Sequence, residues 1–304
     1  MSQVSARIAK DFRKNNRVYL MALPMVVFLV LFRYLPLLGI SIAFQDFKYR
    51  VGFFGSKWVG LKHFESFVKG FYFGRLLTNT LMISLLDLAF VFPMPILLAL
   101  LINEIRSQHY KRIIQTITYM PHFISIIVFS GIIIKFTSMN GVIPSIMSWL
   151  GMSRVNLLMQ PAAFRSVYTI SSIWKEAGWS AIIYLSAVTR VDPQLYEAAD
   201  IDGSSRIGKL IHVTLPGIAP TVIMMLILKM GSMMNVGFER IILLYNDVTR
   251  ETADVISTYV YRAGLIDMKY SFSTAVDFFN SIINFTLVIV TNAISRYLSD
   301  TSLW

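Results

Sequence analysis

Long apolar segments dominate this chain and limit the folds that are open to it. Six segments consist mostly of apolar side chains and reach the length of about 20 residues that an α-helix needs to cross a bilayer. They cover residues 18–43, 76–102, 113–136, 167–188, 215–236 and 275–294. A soluble core could bury one or two such segments, but not six. The pattern therefore predicts an all-α polytopic membrane protein with six transmembrane helices.

Composition and charge exclude several other classes of protein. Charged residues make up 15% of the 304 residues, whereas about 25% is usual in soluble domains. The net charge of +11 comes from bases that are dispersed over the loops, which does not favour a nucleic-acid interface. The absence of cysteine excludes disulfides, thiol catalysis and thiolate metal sites. The four histidines, His122 among them, lack ligand spacing, so we predict no metal site.

The N-terminal segment, residues 1–17, predicts the orientation of the first helix. It carries five bases and one acid: Arg7, Lys10, Arg13, Lys14, Arg17 and Asp11. The number of Lys and Arg residues in the other loops does not decide the orientation. Their density is higher in the inner loops, which are shorter, and the first helix usually dominates. We therefore predict cytoplasmic termini, a six-helix domain over residues 18–296 and a tail over residues 297–304. We also predict an amphipathic helix in an outer loop, near residues 143–150.

A short polar stretch, residues 190–215, separates the fourth and fifth apolar segments. Residues 195–199 favour a helix, because Pro193 stands at a tolerated N-terminal position and Glu197 lies in an early turn. Gly203 then provides a place where the chain can turn or leave the helix. The stretch is therefore predicted to form a helical loop between two membrane spans.

An apolar stripe follows that turn. Ile207, Leu210 and Ile211 recur at helical spacing, and the stripe ends at Pro216. A helix with one apolar face can fill a groove in a partner protein, and Glu197 can meet a cation of that partner. The loop is therefore predicted to dock on another protein.

This loop resembles the EAA loop of permeases from ATP-binding-cassette (ABC) importers, which depend on binding proteins. The matching residues are Glu197, Ala198, Ala199, Asp202, Gly203, Leu215 and Pro216. The sequence departs from the pattern at Ile207 and Leu210, where relatives often carry aromatic residues, which leaves the shape of the partner's groove open. The resemblance implies a type I ABC importer permease fold with a cytoplasmic coupling helix. It also implies a homologous second permease as partner in a heterodimer, a dimer of ABC ATPases and an extracellular solute-binding lipoprotein.

Weaker signatures indicate the branch of this family. Residues 58–61, residues 121–125 and the far C-terminus look like the LplB-type branch, which imports oligosaccharides and is related to the MalF-type permeases. The resemblance therefore implies an oligosaccharide substrate and a location in a prokaryotic cell membrane. Gly203 to Lys209 reads like a phosphate-binding loop, but Leu210 replaces the required hydroxyl residue. We therefore expect no cofactor on this chain, with ATP and magnesium bound by the separate ATPase.

Two adjacent charges interrupt the fourth segment. Lys175 and Glu176 would each cost at least about 2–3 kcal/mol in lipid, so they either line a pathway or lie at the interface. In the similar maltose-type permeases, the matching helix positions face the sugar. The resemblance extends this role to a set of positions in this chain: His122, Lys175, Glu176, Trp179, Met233, Met234 and Gly237.

Other polar residues in the apolar segments have structural interpretations. Asp87 and Lys229 either face a partner permease or pair with each other. Asn280 and Asn284 stand one turn apart and are expected to make hydrogen bonds between helices. No residues are predicted to be catalytic, because no acids, histidines or nucleophile cluster at one depth.

We therefore interpret the chain as the permease subunit of an ATP-driven importer. Closure of the ATPase dimer would push the Glu197 loop and rock the attached helices as rigid bodies. The alternatives are an ion-coupled secondary transporter, which would have paired intramembrane acids or repeated broken helices, and a membrane-embedded enzyme.

Overall fold

The computed structural model describes residues 14–298 and 302–303. Most of the predicted basic segment (residues 1–13), and residues 299–301 and 304 of the predicted tail, lie outside this part of the chain. The described residues are mostly helical. The one ribbon among them pairs β1 (Gln45–Asp46) with β2 (Lys57–Trp58) in antiparallel register, with Gln45 opposite Trp58.

The α-helices form two sets in chain order. The first set leads to the polar loop and comprises α1 (Asn16–Leu29), α2 (Gly52–Gly55), α3 (Lys62–Val68), α4 (Phe73–Leu86), α5 (Pro93–Asn103), α6 (Gln108–Tyr119), α7 (Ile126–Thr137), α8 (Val142–Trp149) and α9 (Pro161–Val188). The second set comprises α10 (Pro193–Ile201), α11 (Arg206–Lys209), α12 (Leu215–Met230), α13 (Phe238–Leu244), α14 (Arg250–Ala253), α15 (Ile256–Tyr261) and α16 (Tyr270–Leu298).

Wider or tighter helical turns extend several of these helices. π-Helical turns continue α1, join α4 to α5, join α11 to α12 and follow α15, over Val30–Tyr34, Asp87–Val91, Leu210–Thr214 and Arg262–Ile266. 3₁₀ turns cover Leu35–Phe44, Met120–Phe123 and Leu157–Met159. Two of the π-turns stand just before prolines, Pro93 and Pro216, which lack the N–H that a regular helix needs. The helix axis therefore continues past both prolines.

Five helical stretches of the described chain are long and apolar enough to cross a membrane. They cover Asn16–Phe44, Phe73–Asn103, Ile126–Trp149, Arg206–Met230 and Tyr270–Tyr297. The 28-residue helix α9 is long enough but less apolar, because it carries Lys175, Glu176 and several serines. It packs against α5, α6 and α12, so much of its surface faces protein. A helix that faces protein does not need the apolar composition of a helix that faces lipid. The predicted number of six transmembrane helices is therefore compatible with five apolar spans together with α9.

The third predicted span, residues 113–136, is not a single helix. The helix stops at Tyr119, a 3₁₀ turn follows over Met120–Phe123, and α7 begins after Ser125. Pro121 removes one backbone donor at this point, and the Ser125 hydroxyl caps α7 by accepting from Val128 N at 3.4 Å. The third predicted span is therefore two helices separated by a 3₁₀ turn and not one continuous helix.

The fifth predicted span, residues 215–236, is displaced toward the N-terminus. The helix already begins at Arg206, before Pro216, and ends at Met230. The predicted stop at Pro216 is therefore wrong, because the π-turn before that proline accommodates it. Residues 231–237 form a turn that connects to α13 and provides part of the site described below.

The buried core surrounds α9 and the segment after α12. One cluster joins Phe129 of α7, Phe164 and Tyr168 of α9, and Ile241 and Leu244 of α13. A second cluster lies around Met234 and joins it to α3, α4, α15 and α16. By contrast, the most apolar window of Asn16–Phe44 has no buried residues. The first span therefore presents its apolar side chains to lipid or to another subunit.

Candidate functional site

A cavity of about 460 Å³ lies between α5, α9, α12 and α13. Five residues of α9 line it at intervals of four, which places them along one face of that helix: Tyr168, Ser172, Glu176, Ser180 and Tyr184. The opposite wall comes from the π-turn after α4, from α12, from the turn at residues 231–237 and from α13. The stripe spans sixteen residues, or about 24 Å at 1.5 Å per residue. Among its members, only Glu176 was predicted from the sequence, although the four-residue spacing of polar side chains is visible there.

An ion pair crosses one wall of the cavity. The Lys229 ammonium on α12 pairs with the Asp87 carboxylate at the start of the π-turn after α4. This settles the alternative left open by the sequence, because the two charges pair with each other. Since both residues line the cavity, the pair contributes polar surface without net charge.

Removing one member of this pair is expected to be more harmful than exchanging both. Asp87→Asn or Lys229→Met leaves the other, partly exposed charge without its partner, at a cost of about 1–3 kcal/mol. The exchanged variant Asp87→Lys/Lys229→Asp restores opposite charges. We expect low yields of folded protein for each single variant and partial recovery for the double variant, as measured by size-exclusion chromatography in detergent. Equal yields for all three variants would contradict a stabilising pair.

The turn at residues 231–237 forms a fixed part of the wall. Ser84 Oγ donates to the Met233 carbonyl at 2.6 Å. Two residues of α16 hold the same turn: Asn284 Oδ1 accepts from Met234 N at 2.9 Å, and Asn280 Nδ2 donates to Asn235 Oδ1 at 2.7 Å. Asn280 and Asn284 thus make hydrogen bonds to another segment, but the predicted bonds between helices are not observed. Their partners lie in the turn and not in a neighbouring helix.

A buried guanidinium lies at the end of this turn. Arg240 of α13 is 8% exposed, lines the cavity and stacks over the Tyr168 ring at 4.5 Å from the ring centre. Its Nη2 donates to Tyr168 Oη at 3.2 Å. A Cβ at Gly237 would fall inside contact distance of that hydroxyl, so the glycine gives it room. Arg240 was not predicted as a site residue, because the residues between the fifth and sixth apolar segments read as an outer loop.

The predicted pathway residues fall into several environments. Glu176, Met233 and Gly237 line the cavity. Met234 does not, since it is 1% exposed and packs in the core cluster of α3, α4, α15 and α16. In this conformation its predicted contact with substrate has no support. The role of the cavity-lining residues in substrate binding stays a prediction.

His122 and Trp179 lie next to each other outside the cavity. Their rings stack with centres 4.7 Å apart and planes 4° apart. His122 Nδ1 lies 3.3 Å from Glu176 Oε2, without the alignment of a hydrogen bond. Trp179 is 42% exposed, so the pair presents an aromatic surface. This surface can pack on a sugar ring.

Lys175 has a structural role that the sequence did not indicate. Its ammonium is buried and donates to the carbonyls of Pro121, His122 and Ile124, at 3.3, 3.2 and 2.8 Å. These carbonyls belong to the break between α6 and α7, where helical partners are lost. In this conformation, all three donors of the ammonium serve the break and none is directed at the cavity.

The polar loop between α9 and α12 has the predicted helix and turn. Asp192 Oδ1 caps α10 by accepting from Gln194 N at 2.9 Å, with Pro193 in the first turn. Gly203 has a φ of +71°, and the N–H groups of Gly203 and Ser204 donate to the carbonyls of Asp200 and Ala199. This is the Schellman arrangement, which favours glycine. The EAA residues therefore define one compact helix and its stop.

Further contacts hold the loop together and attach it to the bundle. Lys209 Nζ pairs with Asp200 Oδ1 at 2.6 Å, and Tyr196 Oη lies 3.0 Å from Thr214 Oγ1. Val191 and Leu210 pack against a buried cluster of α5, α9 and α12 that contains Leu100, Val188 and Ile218. The loop is therefore held to three helices of the bundle and can transmit a displacement to them.

The outer surface of the loop combines apolar and acidic groups. Four apolar side chains, each at least half exposed, lie on it: Leu195, Ile201, Ile207 and Ile211. Glu197 and Asp202 are exposed, and neither has an ion pair within residues 14–298. Leu210 is partly buried, while Leu215 and Pro216 are exposed at the start of α12. The surface has the features of a docking site, and its partner stays a prediction.

Comparisons with known proteins agree with the fold. A family model described as the binding-protein-dependent transport system inner membrane component matches residues 161–301. The polygalacturonan/rhamnogalacturonan transport system permease protein YteP of Bacillus subtilis (strain 168) is 44% identical over 292 residues, covering 96% of this chain and 91% of YteP. Protein LplB of the same organism is 42% identical, covering 96% of this chain and 92% of LplB.

Solved structures confirm the predicted ABC importer permease fold. A chain in the crystal structure of a bacterial ABC transporter involved in the import of the acidic polysaccharide alginate superimposes with a TM-score of 0.90 at 42% identity. The superposition covers 96% of this chain and 99% of the chain in the crystal structure. A second crystal structure, of the bacterial alginate ABC transporter with an alginate pentasaccharide-bound periplasmic protein, gives the same TM-score and covers 98% of this chain. The chain therefore belongs to the family of binding-protein-dependent transport system inner membrane components, the permeases of ABC importers.

Proposed function

We propose that this chain is the transmembrane permease subunit of an ATP-driven importer of oligosaccharides and forms half of the translocation path. The observation that carries the proposal is the identity of 42–44%, over nearly the whole chain, to a polygalacturonan/rhamnogalacturonan transport permease and to a chain of an alginate-importing ABC transporter. The cavity volume lies within the range of about 300–1,000 Å³ that is usual for small-molecule sites. Its hydroxyl, carboxylate and aromatic groups are suited to sugars.

The proposed assembly has four kinds of component. This chain pairs with a homologous second permease, and the loop at residues 190–215 docks on a dimer of ABC ATPases at the cytoplasmic face. An extracellular solute-binding lipoprotein delivers the oligosaccharide. Both termini are then cytoplasmic, in the plasma membrane of a prokaryotic cell. ATP and magnesium bind to the ATPase, and this chain breaks no bond.

The proposed mechanism follows from the attachment of the loop. Closure of the ATPase dimer displaces the loop at residues 190–215, and the contacts of Val191 and Leu210 with the cluster of α5, α9 and α12 move those helices together. Since α9 and α12 form two walls of the cavity, their movement changes the side from which the cavity is open.

Reconstitution of the whole complex tests this function against the ion-coupled alternative. The complex, in proteoliposomes, would be supplied with the binding protein loaded with oligogalacturonate, alginate or arabinose oligomers. We expect uptake that requires ATP and persists after ion gradients are dissipated. Uptake driven by an ion gradient without ATP would favour a secondary transporter. If none of the three classes is transported, the oligosaccharide assignment is wrong.

A further inference from the structure

Arg240 has hydrogen-bond donors that nothing in the described chain satisfies. Its Nε and Nη1 are buried and have no acceptor among residues 14–298 and 302–303. Only Nη2 has a partner, the Tyr168 hydroxyl. The side chain is more than nine-tenths buried and lines the cavity.

The charge of Arg240 is also not neutralised. A guanidinium remains protonated in proteins, and a buried charge without a partner is strongly unfavourable. The other charges that line the cavity already have neighbours: Asp87 pairs with Lys229, and Glu176 faces His122. No ion pair in the described chain includes Arg240. The cavity wall therefore contains a cation whose natural counterpart is an anion from outside the chain.

The surroundings of Arg240 define the kind of anion. The Tyr168 ring stacks on the guanidinium and is itself only 3% exposed, so it holds the guanidinium in place at the cavity wall. A guanidinium presents planar N–H donors that match the two oxygens of a carboxylate. A sugar in the cavity that carries a carboxylate can thus place its charge against Arg240.

We propose that Arg240 binds the carboxylate of a uronate unit, so that the cavity selects acidic oligosaccharides over neutral ones. This inference rests on the proposed oligosaccharide transport and names its substrate class. Tyr168 and Gly237 act as positioning residues, because the glycine leaves room for the tyrosine hydroxyl that holds Nη2. The names of two relatives, a polygalacturonan/rhamnogalacturonan permease and an importer of acidic alginate, agree with an anionic cargo.

Direct binding to the permease–ATPase complex, without the binding protein, tests the proposal. The probes are fluorescently labelled trigalacturonate and galactotriose, which is its neutral counterpart. For Arg240→Gln we expect the Kd of trigalacturonate to rise roughly tenfold to a hundredfold, since a hydrogen bond to a charged group is lost. The Kd of galactotriose should change less than about twofold, because its binding does not use the charge. Arg240→Lys keeps the charge but not the planar geometry and should fall between wild type and Arg240→Gln.

The ratio of the two affinities separates recognition from a folding defect. A variant that only destabilises the protein weakens both probes equally, and that outcome would overturn the proposal. Unchanged binding of trigalacturonate by Arg240→Gln would also overturn it. Arg112→Gln, an exposed arginine remote from the cavity lining, serves as the matched control and should bind both probes like wild type.

Failure of this inference can be distinguished from failure of the proposed function. If the wild-type complex transports oligosaccharides in the proteoliposome assay but binds galactotriose as tightly as trigalacturonate, the acidic selectivity is wrong and the importer function stands. If the wild-type complex transports none of the oligosaccharides, both are wrong.

Discussion

Glu197→Lys is expected to abolish ATP-driven uptake while the chain remains inserted in the membrane. Glu197 is exposed on α10 and has no ion pair in the described chain, so the substitution should not disturb the permease itself. If the loop docks on an ATPase, however, the new lysine places a positive charge where the partner presents a cation. Repulsion of like charges at an interface costs several kcal/mol, which is enough to separate the subunits.

Two measurements separate loss of docking from loss of folding. The ATPase should no longer co-purify with the variant, whereas the amount of variant in the membrane fraction should equal that of wild type. Glu104→Lys is a matched control, because Glu104 is also exposed and lies just after α5, near the buried cluster that anchors the loop. It should retain the ATPase. Normal uptake by Glu197→Lys would show that the loop is not the coupling surface.

The sequence was sufficient to predict the membrane spans and the loop because both depend on local signals. The length of an apolar segment identifies a helix that can cross a bilayer. Gly203 marks the end of α10, because its φ of +71° is a backbone conformation that favours glycine. The two spans whose bounds differ from the prediction, the third and the fifth, both contain prolines. Pro216 sits within a helix and Pro121 at the end of one, and the difference depends on a π-turn in one case and on Lys175 in the other.

The cavity was less accessible to prediction because its walls come from distant parts of the chain. Arg240 is buried only because the turn at residues 231–237 folds back and is held by Ser84, Asn280 and Asn284. No local pattern encodes that return. The stripe on α9 did leave a local signal, since polar residues recur every four positions, but the adjacent charges at 175 and 176 point in different directions. One of them stabilises the break before α7, and the other faces the cavity.

Gly178 is the position at which the packing around α9 is most sensitive to a single methyl group. A Cβ there would fall well inside contact distance of the carbonyl oxygen and carbon of Thr118 in α6. Those are backbone atoms, so no side chain can rotate away and the two helices must separate. Close approach of helices through a small residue is typical of membrane interfaces. Separation would also disturb the break at residues 120–125, whose carbonyls accept from Lys175 on α9.

Gly178→Ala is therefore expected to destabilise the complex by about 1–3 kcal/mol or more, which is the usual cost of overpacking. The thermal midpoint in detergent should fall by several degrees, and uptake should fall with it. Gly131→Ala is the matched control, because Gly131 lies within the helix α7 and nothing stands within 4 Å of a Cβ there. That variant should be neutral or gain up to about 1 kcal/mol of helix propensity. If both variants melt at the wild-type temperature, α9 and α6 do not approach each other as closely as this backbone contact requires.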